Sequence, residues 1–121
     1  VPLLVNDDAE PAAAVCAAGV HLGCDAAAIA SARAQLDPDA IIGVSCSVSL
    51  ERARAQAAAG ANYLAFGAFF PSVTKPLARR ATVQLLRDAK PLGLPLDGGG
   101  GITPDNARGL IDAGADAVAV V

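Results

Sequence analysis

The sequence is short of aromatic residues, 3% in all, so bulk in its core must come from elsewhere. It has three widely spaced cysteines, Cys16, Cys24 and Cys46, with no Cys-x-x-Cys pair, and a single histidine, His21. That set is too sparse for a tetrahedral zinc site, and the odd cysteine count reads as reduced thiols in a cytoplasmic protein. Basic runs are missing. Nine Lys and Arg stand against twelve acidic residues, a net charge of −3, which argues against nucleic acid and anionic membrane as partners. No apolar run reaches the roughly 18 residues that a membrane helix needs, and the start lacks the layout of a signal peptide. Val1 is not an initiator methionine and reads as a boundary left by processing or cloning.

What is abundant is small apolar side chains. The apolar fraction is 54%, dominated by alanine, enough to exclude a disordered chain and to suit Ala-rich helices packed on Val/Ile/Leu strands. The length of 121 residues fits one domain, residues 1–121. Six β-like runs are predicted: Pro2–Asn6, Gly19–Gly23, Ala40–Ser45, Tyr63–Gly67, Leu94–Gly98 and Ala117–Val121. Helices are predicted between them at Ala9–Ala18, Ala26–Leu36, Ser49–Ala59, Thr82–Lys90 and Pro104–Ala113. Strands alternating with helices imply βαβ units and a parallel sheet.

The punctuation repeats. Ala-Ala-Gly-Val (17–20), Ala-Ala-Gly-Ala (58–61) and Asp-Ala-Gly-Ala (112–115) each close a helix and open a strand. Gly19, Gly60 and Gly114 fit the left-handed position that ends helices. Ser49, and Thr103 before Pro104, fit helix starts. Cys16, inside an Ala-rich helical stretch, reads as core filler. The strands end in polar residues or glycine, and chemistry at the C-terminal end of every strand is the pattern of a (β/α)8 barrel. The expected fold is therefore α/β, an incomplete six-strand portion of a TIM barrel. Its open edges call for more chain or for self-association as a homo-oligomer.

Five groups can carry chemistry, four at strand ends and one within a strand. Asn6-Asp7-Asp8 offers oxygen ligands to Mg²⁺, or an aspartate that caps the next helix. The loop 67–76 brings Ser72, Thr74 and Lys75 together, able to bind a phosphate. Asp97-Gly98-Gly99-Gly100-Gly101 runs into a helix start and offers backbone amides to an anion. It is neither a Walker loop nor a dinucleotide fingerprint. Ser45 can donate to a substrate oxygen. As a nucleophile it lacks a nearby histidine, as Cys46 lacks a base. His21 faces the side opposite Val20 and Leu22 and reads as structural rather than catalytic, two residues short of its strand's polar end.

In order, Leu-Val-Asn-Asp, Gly-Val-His-Leu-Gly, Ile-Ile-Gly-Val-Ser, Thr-Lys-Pro, Gly-Gly-Ile-Thr-Pro-Asp-Asn-Ala and Ala-Gly-Ala-Asp-Ala-Val-Ala-Val-Val resemble the thiamine phosphate synthase family across essentially the whole chain. They correspond to strands three to eight of its barrel. The resemblance implies a transferase of thiamine biosynthesis. It joins hydroxymethylpyrimidine pyrophosphate to a thiazole phosphate and releases pyrophosphate with the help of Mg²⁺, so its partners are these small molecules. It also implies roles for single residues. Asn6 and Asp7 match the pyrophosphate and metal pair. Ser45, Thr74 and Lys75 match substrate contacts, with Ser45 and Lys75 the catalytic candidates. Ser72 stands where a threonine is usual, and Gly101, with Gly100 beside it, matches the thiazole-phosphate glycine. The second metal carboxylate falls on Ala26, leaving Asp25 as its substitute. Cys24 stands in place of a glutamine, and Asp97-Gly98-Gly99 replaces an apolar strand end. The family's strand-two cluster and its last phosphate-binding helix fall outside the chain, so the isolated chain is expected to be inactive. A non-catalytic phosphate-ligand-binding homologue and a thiazole tautomerase are the alternatives. Ser47, where a tautomerase has histidine, counts against the latter.

Overall fold

The computed structural model describes residues 1–71 and 79–120. Six strands form one sheet, β1 (Leu4–Asn6), β2 (Gly19–Leu22), β3 (Ile41–Ser47), β4 (Tyr63–Phe66), β5 (Leu96–Gly99) and β6 (Ala117–Ala119). Every pairing is parallel and every neighbour is the next strand in the chain. Helices α1 (Ala9–Ala14), α2 (Ala26–Gln35), α3 (Leu50–Ala58), α4 (Val83–Ala89) and α5 (Pro104–Asp112) fill the crossovers. Consecutive parallel strands with right-handed helical crossovers put all helices on one side. This is the winding of an incomplete α/β barrel, as expected.

The core lies between the sheet and the helices. Val20, Leu22, Ile42, Val44, Leu64, Phe66 and Leu96 point from the strands into it, and Ile29, Leu86 and Leu110 meet them from the helices. Each such side chain contributes roughly 1.5–3 kcal/mol by leaving water. Alanine does the rest: Ala12, Ala53 and Ala89 are fully buried and let the helices approach the strands closely.

Local chemistry sets the boundaries. Asp8, Asp25 and Ser49 cap α1, α2 and α3, accepting from the amides of Glu10, Ala27 and Arg52. Gly60 (φ 103°) and Gly114 (φ 118°) end α3 and α5 in the left-handed conformation. Gly19 does not. Helix α1 stops at Ala14, four residues earlier than expected, and Cys16 takes the left-handed position instead (φ 53°). Cys16 is exposed, not core filler; the buried cysteine is Cys46. Gly19 instead opens β2, where a Cβ would collide with the backbone of Ile41 on the neighbouring strand.

Two polar clamps repeat along the sheet. Asn62, just before β4, accepts from the Ile42 amide (2.8 Å) and from Arg33 (2.8 Å). Asp116, just before β6, accepts from the Leu96 amide (2.9 Å) and from Lys90 (3.2 Å). In each, a side chain holds the start of the preceding strand.

Candidate functional site

Because alternate strand residues face opposite sides, the residues between those core positions share the inner, concave face. These are His21 on β2, Gly43 and Ser45 on β3, Tyr63 and Ala65 on β4, and Asp97 and Gly99 on β5. All of them except Gly43, which lies beneath the Tyr63 ring, line a cleft of about 1100 Å³, together with Ser47, Arg52 and Arg79. Ser47, two residues beyond Ser45 on β3, shares its face by the same alternation, which leaves Cys46 facing the core. That burial pushes the Cys46 thiol up to about 12, the opposite of an activated nucleophile.

One hydrogen-bonded unit forms the floor of the cleft. His21 Nδ1 lies 2.7 Å from the Tyr63 hydroxyl and Nε2 lies 2.9 Å from Ser45 Oγ. The register that places His21 opposite Gly43, and Gly43 opposite Tyr63, makes this reach possible. A Cβ on Gly43 would fall within the Tyr63 ring, so glycine is what lets the ring cross β3 to the imidazole. Ser45 thus does have a histidine beside it, against expectation. The expectation failed because it looked only at strand-end loops, whereas His21 comes from within a neighbouring strand.

Burial holds His21 below its ordinary value, opposed by the charges of Asp97 and Asp7. A neutral imidazole donates from one nitrogen and accepts at the other. When Tyr63 donates to Nδ1, Nε2–H donates to Ser45, and the serine proton is left for a ligand. Asp97 is pushed up by burial, opposed by His21 and by the Gly98 amide. Tyr63 is raised by burial and then by the charge of Asp97.

The remaining candidates are spread along the same rim. The Asn6 amide donates to the Asp7 carboxylate (2.9 Å), and the Asp7 amide donates to the His21 carbonyl (2.7 Å), tying the end of β1 to β2. The helix cap is Asp8, so the Asp7 carboxylate is not spent on that role. Asp25 is: its Oδ1 accepts from Ala27 (2.9 Å). Among the described residues no group of three or more His, Cys, Asp or Glu gathers as a metal cage. Gly100 lines the cleft, and both Gly100 (φ 93°) and Gly101 (φ 67°) are left-handed. A Cβ at Gly101 would press on the carbonyls of Phe70 and Pro71. Asn106 shapes this turn, accepting from the Thr103 amide (2.8 Å) and donating to the Gly101 carbonyl (3.0 Å). Ser72, Thr74 and Lys75 lie outside the described residues. Tyr63, Gly43 and Asn106 are the site residues that the sequence pattern did not single out. Strand alternation carried a signal for the first two.

Parallel strands with helices in the crossovers define a segment of an α/β-barrel protein. The family model described as "Thiamine monophosphate synthase" matches residues 1–121. The chain belongs to that family. It is 60% identical over 121 residues to a thiamine-phosphate synthase of Xanthomonas campestris pv. campestris (strain 8004), covering all of this chain and 58% of the relative. A thiamine-phosphate synthase of Methylobacillus flagellatus is 59% identical over 120 residues, 99% of this chain and 57% of the relative. The chain thus spans a little over half the length of these relatives. Among solved structures, an inosine 5'-monophosphate dehydrogenase from Legionella pneumophila superposes with a TM-score of 0.80 at 18% identity, over 99% of this chain and 43% of the other. A structure titled "Native KDPGal structure" superposes with a TM-score of 0.69 at 20% identity, over 93% and 50%. These two likenesses concern the fold alone.

Proposed function

We propose that the protein carrying this chain is a thiamine phosphate synthase, which joins hydroxymethylpyrimidine pyrophosphate to a thiazole phosphate and releases pyrophosphate. The observation that carries this reading is the match of the family over all 121 residues, with Asn6, Asp7, Gly100 and Gly101 at strand ends of the parallel sheet and Ser45 on the floor of the cleft. The chemistry asks for little proton transfer. Loss of pyrophosphate from the pyrimidine methylene leaves a stabilised cation, which the thiazole nitrogen captures. What a protein must supply is stabilisation of the leaving charge and exclusion of water.

The residues suit those tasks. The Ser45 hydroxyl, held by His21, donates to a substrate oxygen. Lys75, Thr74 and Ser72 are the residues that the family resemblance assigns to the pyrophosphate. The left-handed glycines Gly100 and Gly101 leave the turn without side chains, so a phosphate can approach its backbone amides. Asp7 and Asp25 fit Mg²⁺, which takes one or two carboxylates and completes its shell with water and substrate phosphate. When bound, the ion offsets the charge of the departing pyrophosphate. Asp25 keeps its capping bond in this arrangement and contributes through its other oxygen.

The test is pyrophosphate release by the complete protein with both substrates and Mg²⁺, beside an Asp7→Ala variant. Release should require the thiazole phosphate and fall by about 100-fold in the variant, the scale of losing one electrostatic contact to a transition state. A folded wild-type protein that releases nothing would refute the reading.

A further inference from the structure

Asp97 stands apart from every other acidic residue of the chain. It is half-buried on the inner face, whereas the other acidic residues are exposed. Its neighbours across the sheet are Ala65 on β4 and Ala117 on β6. The next inward positions on its own strand and on β6 are Gly99 and Ala119. The side chains at these four positions are too small to cover the carboxyl. It therefore looks into open space, where the main cleft meets a second cavity of about 310 Å³; Tyr63, Asp97 and Ala119 line both. Neither of the ion pairs found among the described residues involves it.

The cleft is thus chemically two-ended. Its rim suits anions, with Arg52, Arg79 and the bare turn at Gly100. Its floor suits the opposite, because a carboxyl beside an imidazole and a phenol repels phosphate and attracts N–H groups. A carboxyl can pair twice with a flat edge that carries a ring nitrogen next to an exocyclic N–H. One oxygen accepts from the N–H, and the other shares a proton with the ring nitrogen.

We propose that Asp97 is a specificity-determining residue that binds the amine-bearing edge of a phosphorylated heterocycle, whose anionic tail lies toward the rim. Resting on the synthase reading above, this assigns the floor of the cleft to the pyrimidine substrate. An amino-substituted pyrimidine has the matching edge, whereas a thiazole has one ring nitrogen and no N–H. Burial raises the affinity of Asp97 for a proton, so either partner can hold the shared proton.

The test measures binding by calorimetry to the complete protein, with three probes: 4-amino-5-hydroxymethylpyrimidine, the same ring without the amine, and inorganic pyrophosphate. The wild type should prefer the amino compound by about tenfold or more, the worth of one charge-assisted hydrogen-bonded pair. Asp97→Ala should erase that preference and leave pyrophosphate affinity within about twofold. Alanine already occupies both flanking positions, so this variant should fold, which a melting curve checks. Asp97→Asn, whose carboxamide also offers one donor and one acceptor, should keep the preference. The inference is overturned if the wild type shows no preference, if Asp97→Ala keeps it, or if Asp97→Asn loses it. It is also overturned if Asp97→Ala tightens pyrophosphate binding by tenfold, which would place the carboxyl among the anion contacts. Failure of the synthase reading looks different: no pyrophosphate is released, whatever the preference among heterocycles.

Discussion

Gly43→Ala is expected to break the floor of the cleft without touching a ligand. The new methyl would occupy the space of Tyr63 Cζ and Cε1, and β3 is too firmly paired on both sides to move. The tyrosine ring must therefore swing into the cleft. That forfeits its bond to His21 Nδ1, about 1 kcal/mol, and adds overpacking strain for a total near 1–3 kcal/mol. In a Tyr63→Ala background the space is free. There the same Gly43→Ala change should be neutral or stabilising by about 0.5–1 kcal/mol, since alanine loses less backbone freedom than glycine. A double-mutant cycle should thus return a coupling of about 2 kcal/mol. Urea denaturation followed by circular dichroism gives the stabilities. Equal costs in the two backgrounds would refute the explanation of why glycine stands at this position.

Gly19→Ala should be worse, because the added methyl meets the Ile41 backbone rather than a mobile ring; a loss of about 3 kcal/mol or more, or no soluble protein on expression, is expected. Asp116→Ala removes the acceptor of the Leu96 amide and should cost about 1–2 kcal/mol in urea denaturation. A thiol reagent at mild alkaline pH should label Cys16 and Cys24 at once and Cys46 only at the rate of unfolding, given their exposure and the raised Cys46 value. Burial raises the Asp97 carboxyl above its ordinary value, so its contribution is present below that ordinary value and is lost as pH rises through the raised one. Asp97→Ala should therefore melt higher than the wild type at neutral pH, an advantage that shrinks in acid.

The order and polarity of the βα units were legible because their signals are local. Ser49 begins its helix and Gly60 and Gly114 end theirs through their own conformational preferences. Where small apolar residues run unbroken, as in Ala12-Ala13-Ala14-Val15-Cys16-Ala17-Ala18, nothing local marks the end, and α1 stops earlier than its pattern suggests. The rim candidates were legible in the same way, each following a strand. The floor was not, because His21, Ser45 and Tyr63 are far apart in sequence and meet only through register. Alternation alone would have found it: once Val20, Leu22, Ile42, Val44, Leu64 and Leu96 are turned outward, His21, Ser45, Tyr63 and Asp97 must share the other face.

The two clamps along the sheet look alike but answer differently to acid. Asn62 cannot titrate, so the seam between β3 and β4 keeps its hold at any pH. Asp116 can: the Leu96 amide and then Lys90 hold its carboxyl below the usual range, and its grip is lost as pH falls through that depressed value. Acid should therefore unzip the sheet from one side. The β5–β6 seam loosens first and uncovers the Ala117 side of Asp97, while β5 stays paired with β4 and His21 and Ser45 keep their places.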